Sequence, residues 1–130
     1  MQERRSLVDA NVILRYLLKD DQRLYRMAGE FFHEVFSGKR VAVVLQSVVA
    51  EVVYVLTKVY RIPRMEVSEV LSEFLAARGL KIQDKVITLE ALRLFAEKNL
   101  DFVDCLICAY GREMEVVSFD KGVLKCLEKR

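Results

Sequence analysis

The chain has 130 residues, a formal net charge of +2, 53% hydrophobic residues and 31% charged ones. That length suffices for one domain over 1–130 that buries roughly two-thirds of its unfolded surface without disulfides or a structural metal. Nearly cancelling charges exclude a global basic field that would advertise nucleic acid. No apolar run reaches the roughly 18 residues that cross a membrane. The opening Met1-Gln2-Glu3-Arg4-Arg5 lacks the apolar core of a signal peptide, so a cytoplasmic protein with no membrane partner is expected. Three cysteines, an odd number without an export signal, are read as reduced thiols packed in the core. Cys105 and Cys108 have CxxC spacing, but only Cys126 and His33 remain to complete a zinc site that wants four soft ligands.

In chain order, Ser6 to Asp9 predicts a short buried strand, and Val12, Ile13, Tyr16 and Leu17 a helix that breaks at Lys19-Asp20-Asp21. From Gln22 to Phe36 apolar residues recur every three or four positions, giving an amphipathic helix closed by Ser37-Gly38. Val41 to Leu45 is wholly apolar and predicts a strand covered on both faces. Ser47 caps the next predicted helix, which Tyr60-Arg61-Ile62-Pro63 stops. A helix from about Arg64 to Ala77 follows, closed by Gly79, and then a brief strand over Leu80-Lys81-Ile82. Val86 to Lys98 and Phe102 to Glu113 are helical in period, Val116 to Phe119 is a strand, and Val123 to Leu127 a short closing element. Strands alternating with helices predict an α/β fold, a three-layer α/β/α sandwich around a mostly parallel sheet.

In such sheets functional groups collect beyond the carboxyl ends of the strands, where Asp9 and Asp120 fall. Glu51 lies in the apolar stripe of its helix, where an unpaired carboxylate needs a partner, a shifted pKa or a metal. Asp104 sits in the first turn of its helix, with Asp101 as a neighbouring capping candidate. Each acid also has a plain structural reading. Asp9 and Asp101 can be N-caps and Asp120 a turn residue, while Glu51 can lie at the edge of its stripe or pair with Arg15. Taken together, four carboxylates suit Mg²⁺ or Mn²⁺, hard cations that take oxygen ligands and keep several waters. Such ions activate water and stabilise in-line displacement at a phosphodiester. His33, alone of its kind, is not needed.

Val8-Asp9-Ala10-Asn11-Val12-Ile13-Leu14-Arg15-Tyr16-Leu17, Glu51, Phe102-Val103-Asp104-Cys105-Leu106-Ile107 and Val117-Ser118-Phe119-Asp120 together resemble a PIN domain. The size and the D-x-N opening look most like the VapC toxins of prokaryotic VapBC toxin-antitoxin pairs. The resemblance implies a Mg²⁺- or Mn²⁺-dependent endoribonuclease whose metal-binding and catalytic quartet is Asp9, Glu51, Asp104 and Asp120. Asn11, Ser118 and Asp101 stand as supporting polar residues. Ser118 and Cys105 depart from the family's usual Thr and Ala, and neither departure removes an oxygen ligand. The resemblance further implies a homodimer, an RNA substrate and a cognate antitoxin protein that lays an apolar segment in a groove. Arg15, Lys58, Arg61 and Arg64 are candidate cations for holding RNA, with solvated helix surface as their plain reading. The alternative is a non-catalytic PIN-like module for RNA binding or assembly. A phosphatase or receiver domain is disfavoured because Asn11 stands where the former needs a second Asp, and no acidic pair accompanies Asp9.

Overall fold

The computed structural model describes residues 4–129. Among them, three strands and seven α-helices run in the order β1 (Arg4–Leu7), α1 (Ala10–Leu18), α2 (Gln22–Phe36), β2 (Arg40–Val44), α3 (Gln46–Tyr54), α4 (Arg64–Leu75), β3 (Leu80–Ile82), α5 (Lys85–Glu97), α6 (Phe102–Tyr110) and α7 (Lys121–Glu128), with a π-helical turn at Val55–Val59. The strands form one parallel sheet in the order β1-β2-β3. The fold class is therefore α/β, as the alternation of elements predicts. The chain divides into two compact units. The first runs up to Val52 and adds Glu73–Gln83; the second combines Val53–Ser72 with Asp84 onward.

In the first unit, β1 meets β2 with Arg4 opposite Arg40, and β2 meets β3 with Ala42 opposite Leu80. The central strand buries Val41, Ala42 and Val44, which is why its run is apolar on both faces. Helix α1 starts at Asp9, whose carboxylate accepts the Val12 N–H at 3.2 Å, and α2 starts at Asp21, which accepts the Leu24 N–H at 3.0 Å. Each bond satisfies a donor the first helical turn leaves open. The amphipathic α2 turns Ala28, Phe32 and Val35 inward. Phe32 packs on Tyr16, Phe36 and Phe74, with ring centroids 4.8, 6.0 and 5.2 Å away. Gly79, before β3, has φ +87° and lies so close to Val35 that a Cβ would come within 2.6 Å of its carbonyl oxygen. Only glycine meets both demands.

The second unit is helical. Its core includes Ile87, Leu92, Phe95, Phe102, Leu106 and Val123. The buried Ser68 hydroxyl donates to the Leu92 carbonyl at 2.7 Å, tying α4 to α5. Arg64 closes the end of α5. Its Nε donates to the Phe95 carbonyl at 3.0 Å, its Nη2 to the carbonyls of Lys98 at 2.8 Å and of Leu100, and its guanidinium lies 3.7 Å over the Phe95 ring. The Phe95 carbonyl is one that the last turn of α5 leaves without an intrahelical partner, and those of Lys98 and Leu100 follow it in the cap and the connection to α6.

Three expectations are corrected. Val116 to Phe119 has no regular secondary structure and pairs with no described strand, and Val117 and Phe119 are 84% and 99% exposed. Apolar character alone therefore did not make it a ladder strand. The helix after Ser47 does not begin there; α3 starts at Gln46, whose N–H donates to the Gln83 side chain, and gives way to the π-helical turn beyond Tyr54. Helix α6 ends at Tyr110, before the expected Glu113.

Candidate functional site

The second unit gathers three of the candidate acids. Asp101 holds the N-cap position of α6 without a capping side-chain bond, and Asp104 lies in that helix's first turn. Asp120 is the N-cap of α7, its carboxylate accepting the Val123 N–H at 2.9 Å while its own N–H donates to the Ser118 hydroxyl at 3.0 Å. The local turn at Ser118 thus sets the backbone that aims Asp120. The Asp104 carboxyl is raised above its ordinary value by burial first, then by the charges of Asp120 and Asp101. Like charges brought together disfavour one another's ionised forms.

Helices α6 and α7 are joined by a disulfide between Cys108 and Cys126, whose Cα atoms lie 6.2 Å apart. This corrects the expectation of three reduced thiols. Both sulfurs belong to buried residues, as core packing predicts, but the two helices face them at bonding separation. Cys105 is free and buried, its thiol pushed up to about 11 mainly by burial, with the Arg64 charge acting in the opposite direction. The pairing is the feature that sequence reasoning missed. CxxC spacing draws attention to Cys105 with Cys108, and no spacing rule joins residues 18 apart on separate helices.

In the first unit, Asp9 and Asn11 border an apolar groove of about 370 Å³ between β1, α1 and α2, whose walls include Leu7, Val12, Met27 and Phe31. Glu51 corrects another expectation, because it is exposed on α3 and not immersed in the apolar stripe. Ser47, Glu51, Tyr54 and Lys58 are all exposed, a solvent stripe at helical spacing beside the buried Val49, Val52 and Val53. Arg15 pairs with Asp20 at 3.0 Å, and Arg64 is engaged by carbonyls, so neither stands as a solvated cation for RNA. His33 is exposed on α2.

The donor chemistry in the second unit fits a hard divalent cation: oxygen ligands only, half-buried at Asp104 and crowded with negative charge. Within neither unit do three His, Cys, Asp or Glu side chains of the described residues stand close enough to hold an ion. Mg²⁺ asks for less, since it commonly takes one or two carboxylates, keeps its waters and completes its shell with substrate phosphate. Asp104 and Asp120 are the pair the second unit offers.

Comparison with known proteins bears on the same residues. The chain is similar to a VapC ribonuclease of Aquifex aeolicus (strain VF5), 28% identical over 123 residues that cover 92% of this chain and 90% of that one. No solved structure matches it. The PIN domain model matches residues 6–126, a span containing Asp9, Glu51, Asp104 and Asp120, and the chain belongs to the PIN-domain family.

Proposed function

We propose that this protein is a metal-dependent endoribonuclease that hydrolyses RNA phosphodiester bonds, acting as the toxin of a VapC-type toxin-antitoxin pair. The observation that carries the reading is the crowding of Asp101 and Asp120 on a partly desolvated Asp104, in a family whose related member is a ribonuclease. A cation offsets like charge acting on a partly desolvated carboxyl more fully than water does, which supports the reading. Asp104 and Asp120 would hold Mg²⁺ or Mn²⁺, and the resemblance to the family supports a metal-binding role for Asp9 and Glu51 as well. The ion, when bound, supplies activation of water and stabilisation of charge on the phosphate.

The chain's own residues position these groups. The Val123 N–H and the Ser118 turn fix Asp120, the first turn of α6 presents Asp104, and Asp101 adds negative charge without taking up a capping bond. The apolar groove beside Asp9 is the surface on which an antitoxin's apolar segment would lie. Exposed Tyr54, Val59 and Met65 in the second unit suit contact with a second copy of the chain.

The test is cleavage of structured RNA by purified protein with Mg²⁺ or Mn²⁺, against EDTA and against Asp104→Asn and Asp9→Asn variants prepared alongside. Cutting that needs the ion and vanishes in both variants is expected. Cutting that survives in the variants refutes the assignment. A second reading, a non-catalytic RNA-binding module, predicts binding without cutting.

A further inference from the structure

A second cleft, of about 340 Å³, lies in the second unit between the α5–α6 connection and one face of α7. Lys98 and Asn99 form one wall and Lys125 and Lys129 the other, with Leu100 and Gly122 between them. Gly122, Lys125 and Lys129 are spaced i, i+3 and i+7, so they share a helix face. A Cβ at Gly122 would lie 2.5 Å from Leu100 Cδ2, so the glycine lets α7 approach the α5–α6 connection closely, with Lys98 and the α7 lysines lining the same cleft. No carboxylate lines the cleft. Among the described residues none of the three ammonium groups forms an ion pair. The carbonyls at the end of α5, which would otherwise lend negative charge to this wall, are engaged by Arg64.

Three lysines line this small cleft without an ion pair among the described residues, and the nearest acid is Asp120, whose Oδ1 lies 3.1 Å from the position of a Cβ at Gly122. We propose that the cleft binds phosphate groups, and specifically the backbone phosphates of single-stranded RNA. The occupant follows from the lysines' character as strongly hydrated point charges with no fixed fork, which suits sequence-independent contact with a flexible chain of phosphates. It follows too from where the walls lead. Leu100 is followed directly by Asp101, and Gly122 lies two residues after Asp120, so the segments that make the cleft are those that carry two of the crowded acids. An RNA strand held here runs onto that cluster. The proposal rests on the ribonuclease reading and adds to it a place where the substrate is gripped away from the reacting bond.

The test measures fluorescence anisotropy of a labelled single-stranded RNA, in EDTA to prevent cutting, across a salt series. Lys125→Gln/Lys129→Gln is compared with Lys39→Gln/Lys81→Gln, a charge-matched pair of exposed lysines in the other unit. Two lost contacts lower the slope of log affinity against log salt by about 1.4, at about 0.7 per contact for a single strand. With affinities converging near 1 M salt, binding at about 0.1 M weakens about 25-fold. The charge-matched control keeps the wild-type slope. Equal slopes in both double variants, or no change in either, overturn the proposal. Displacement of RNA by pyrophosphate as effective as displacement by unlabelled RNA overturns the backbone as occupant and assigns the cleft to a free anion. Cleavage assays on the same preparations separate the two claims. Wild-type cutting with an unaltered slope sinks the cleft alone, whereas a lysine-dependent slope without any cutting sinks the nuclease alone.

Discussion

Reducing the Cys108–Cys126 disulfide opens a covalent loop spanning 18 positions. In the chain-entropy account, a loop of that length restrains the unfolded chain by about 3 kcal/mol at 25 °C. Unfolding entropy of about 2.1 cal/mol/K per residue, over 130 residues, converts that loss to a fall of about 12 °C in the thermal midpoint. Reduction is a cleaner perturbation than substitution here, because it adds two hydrogens and no cavity, whereas replacing either buried cysteine also alters packing. The assay is circular dichroism melting with and without a phosphine reductant, paired with thiol titration in denaturant. One titratable thiol before reduction, from Cys105, and three afterwards are expected. Three thiols without reductant, or coincident melts with the disulfide shown to be broken, would refute the reasoning.

Asp104→Asn is expected to stabilise the fold while abolishing RNA cleavage. Burial, then Asp120 and Asp101, raise the folded-state carboxyl above its ordinary 3.8, so its favourable contribution is complete below that value and is lost as pH rises through the folded one. Melts at neutral pH should therefore show a higher midpoint for the variant and a gain that shrinks below about pH 4; a lower midpoint at neutral pH contradicts this. Asp120 has two duties that substitution separates: Asp120→Asn keeps the cap and its stability, Asp120→Ala loses about 1 kcal/mol, and both lose cleavage. Retained cleavage in Asp120→Asn would leave the residue a cap alone. Arg64→Ala leaves three carbonyls without their donor and Phe95 without its cation, at a cost of about 3 kcal/mol by urea denaturation; a loss under about 0.5 kcal/mol would show that water replaces the guanidinium.

Local chemistry was readable in the sequence. Asp9 caps its helix because a short carboxylate there reaches the N–H three residues on, and Gly79 marks a chain reversal that only glycine tolerates. The α/β class followed from alternating periods; Asp104 was read in the first turn of its helix, whereas Asp120 was read at the end of a strand and is instead the N-cap of α7. Of what failed, Glu51 was a misread local pattern, and the rest depends on contacts distant in sequence. Glu51 looks immersed because valines flank it, yet the spacing of Ser47, Glu51, Tyr54 and Lys58 puts it on the solvent stripe, a pattern the local apolar density hides. Val116 to Phe119 has the composition of a strand, but a strand exists only where a neighbour supplies the ladder. The disulfide required knowing which faces of α6 and α7 meet.

That meeting of α6 and α7 also bears on why carboxylates can be crowded at all. Burial first, and then the charges of Asp120 and Asp101, disfavour the ionised Asp104 carboxyl. Such a cluster persists only when the surrounding structure holds it more firmly than the charges repel. Three restraints act within this unit: the capping bond from Val123 N–H to Asp120, the close approach of Gly122 to Leu100, and the Cys108–Cys126 bond one turn beyond Asp104 on α6 and under two turns beyond Asp120 on α7. The first fixes a side chain, the second a backbone separation, the third the helix pair itself. Under the proposed function, a cation bound by Asp104 and Asp120 would offset this repulsion, and restraints that already hold the acids in place would lower the ordering cost of binding it.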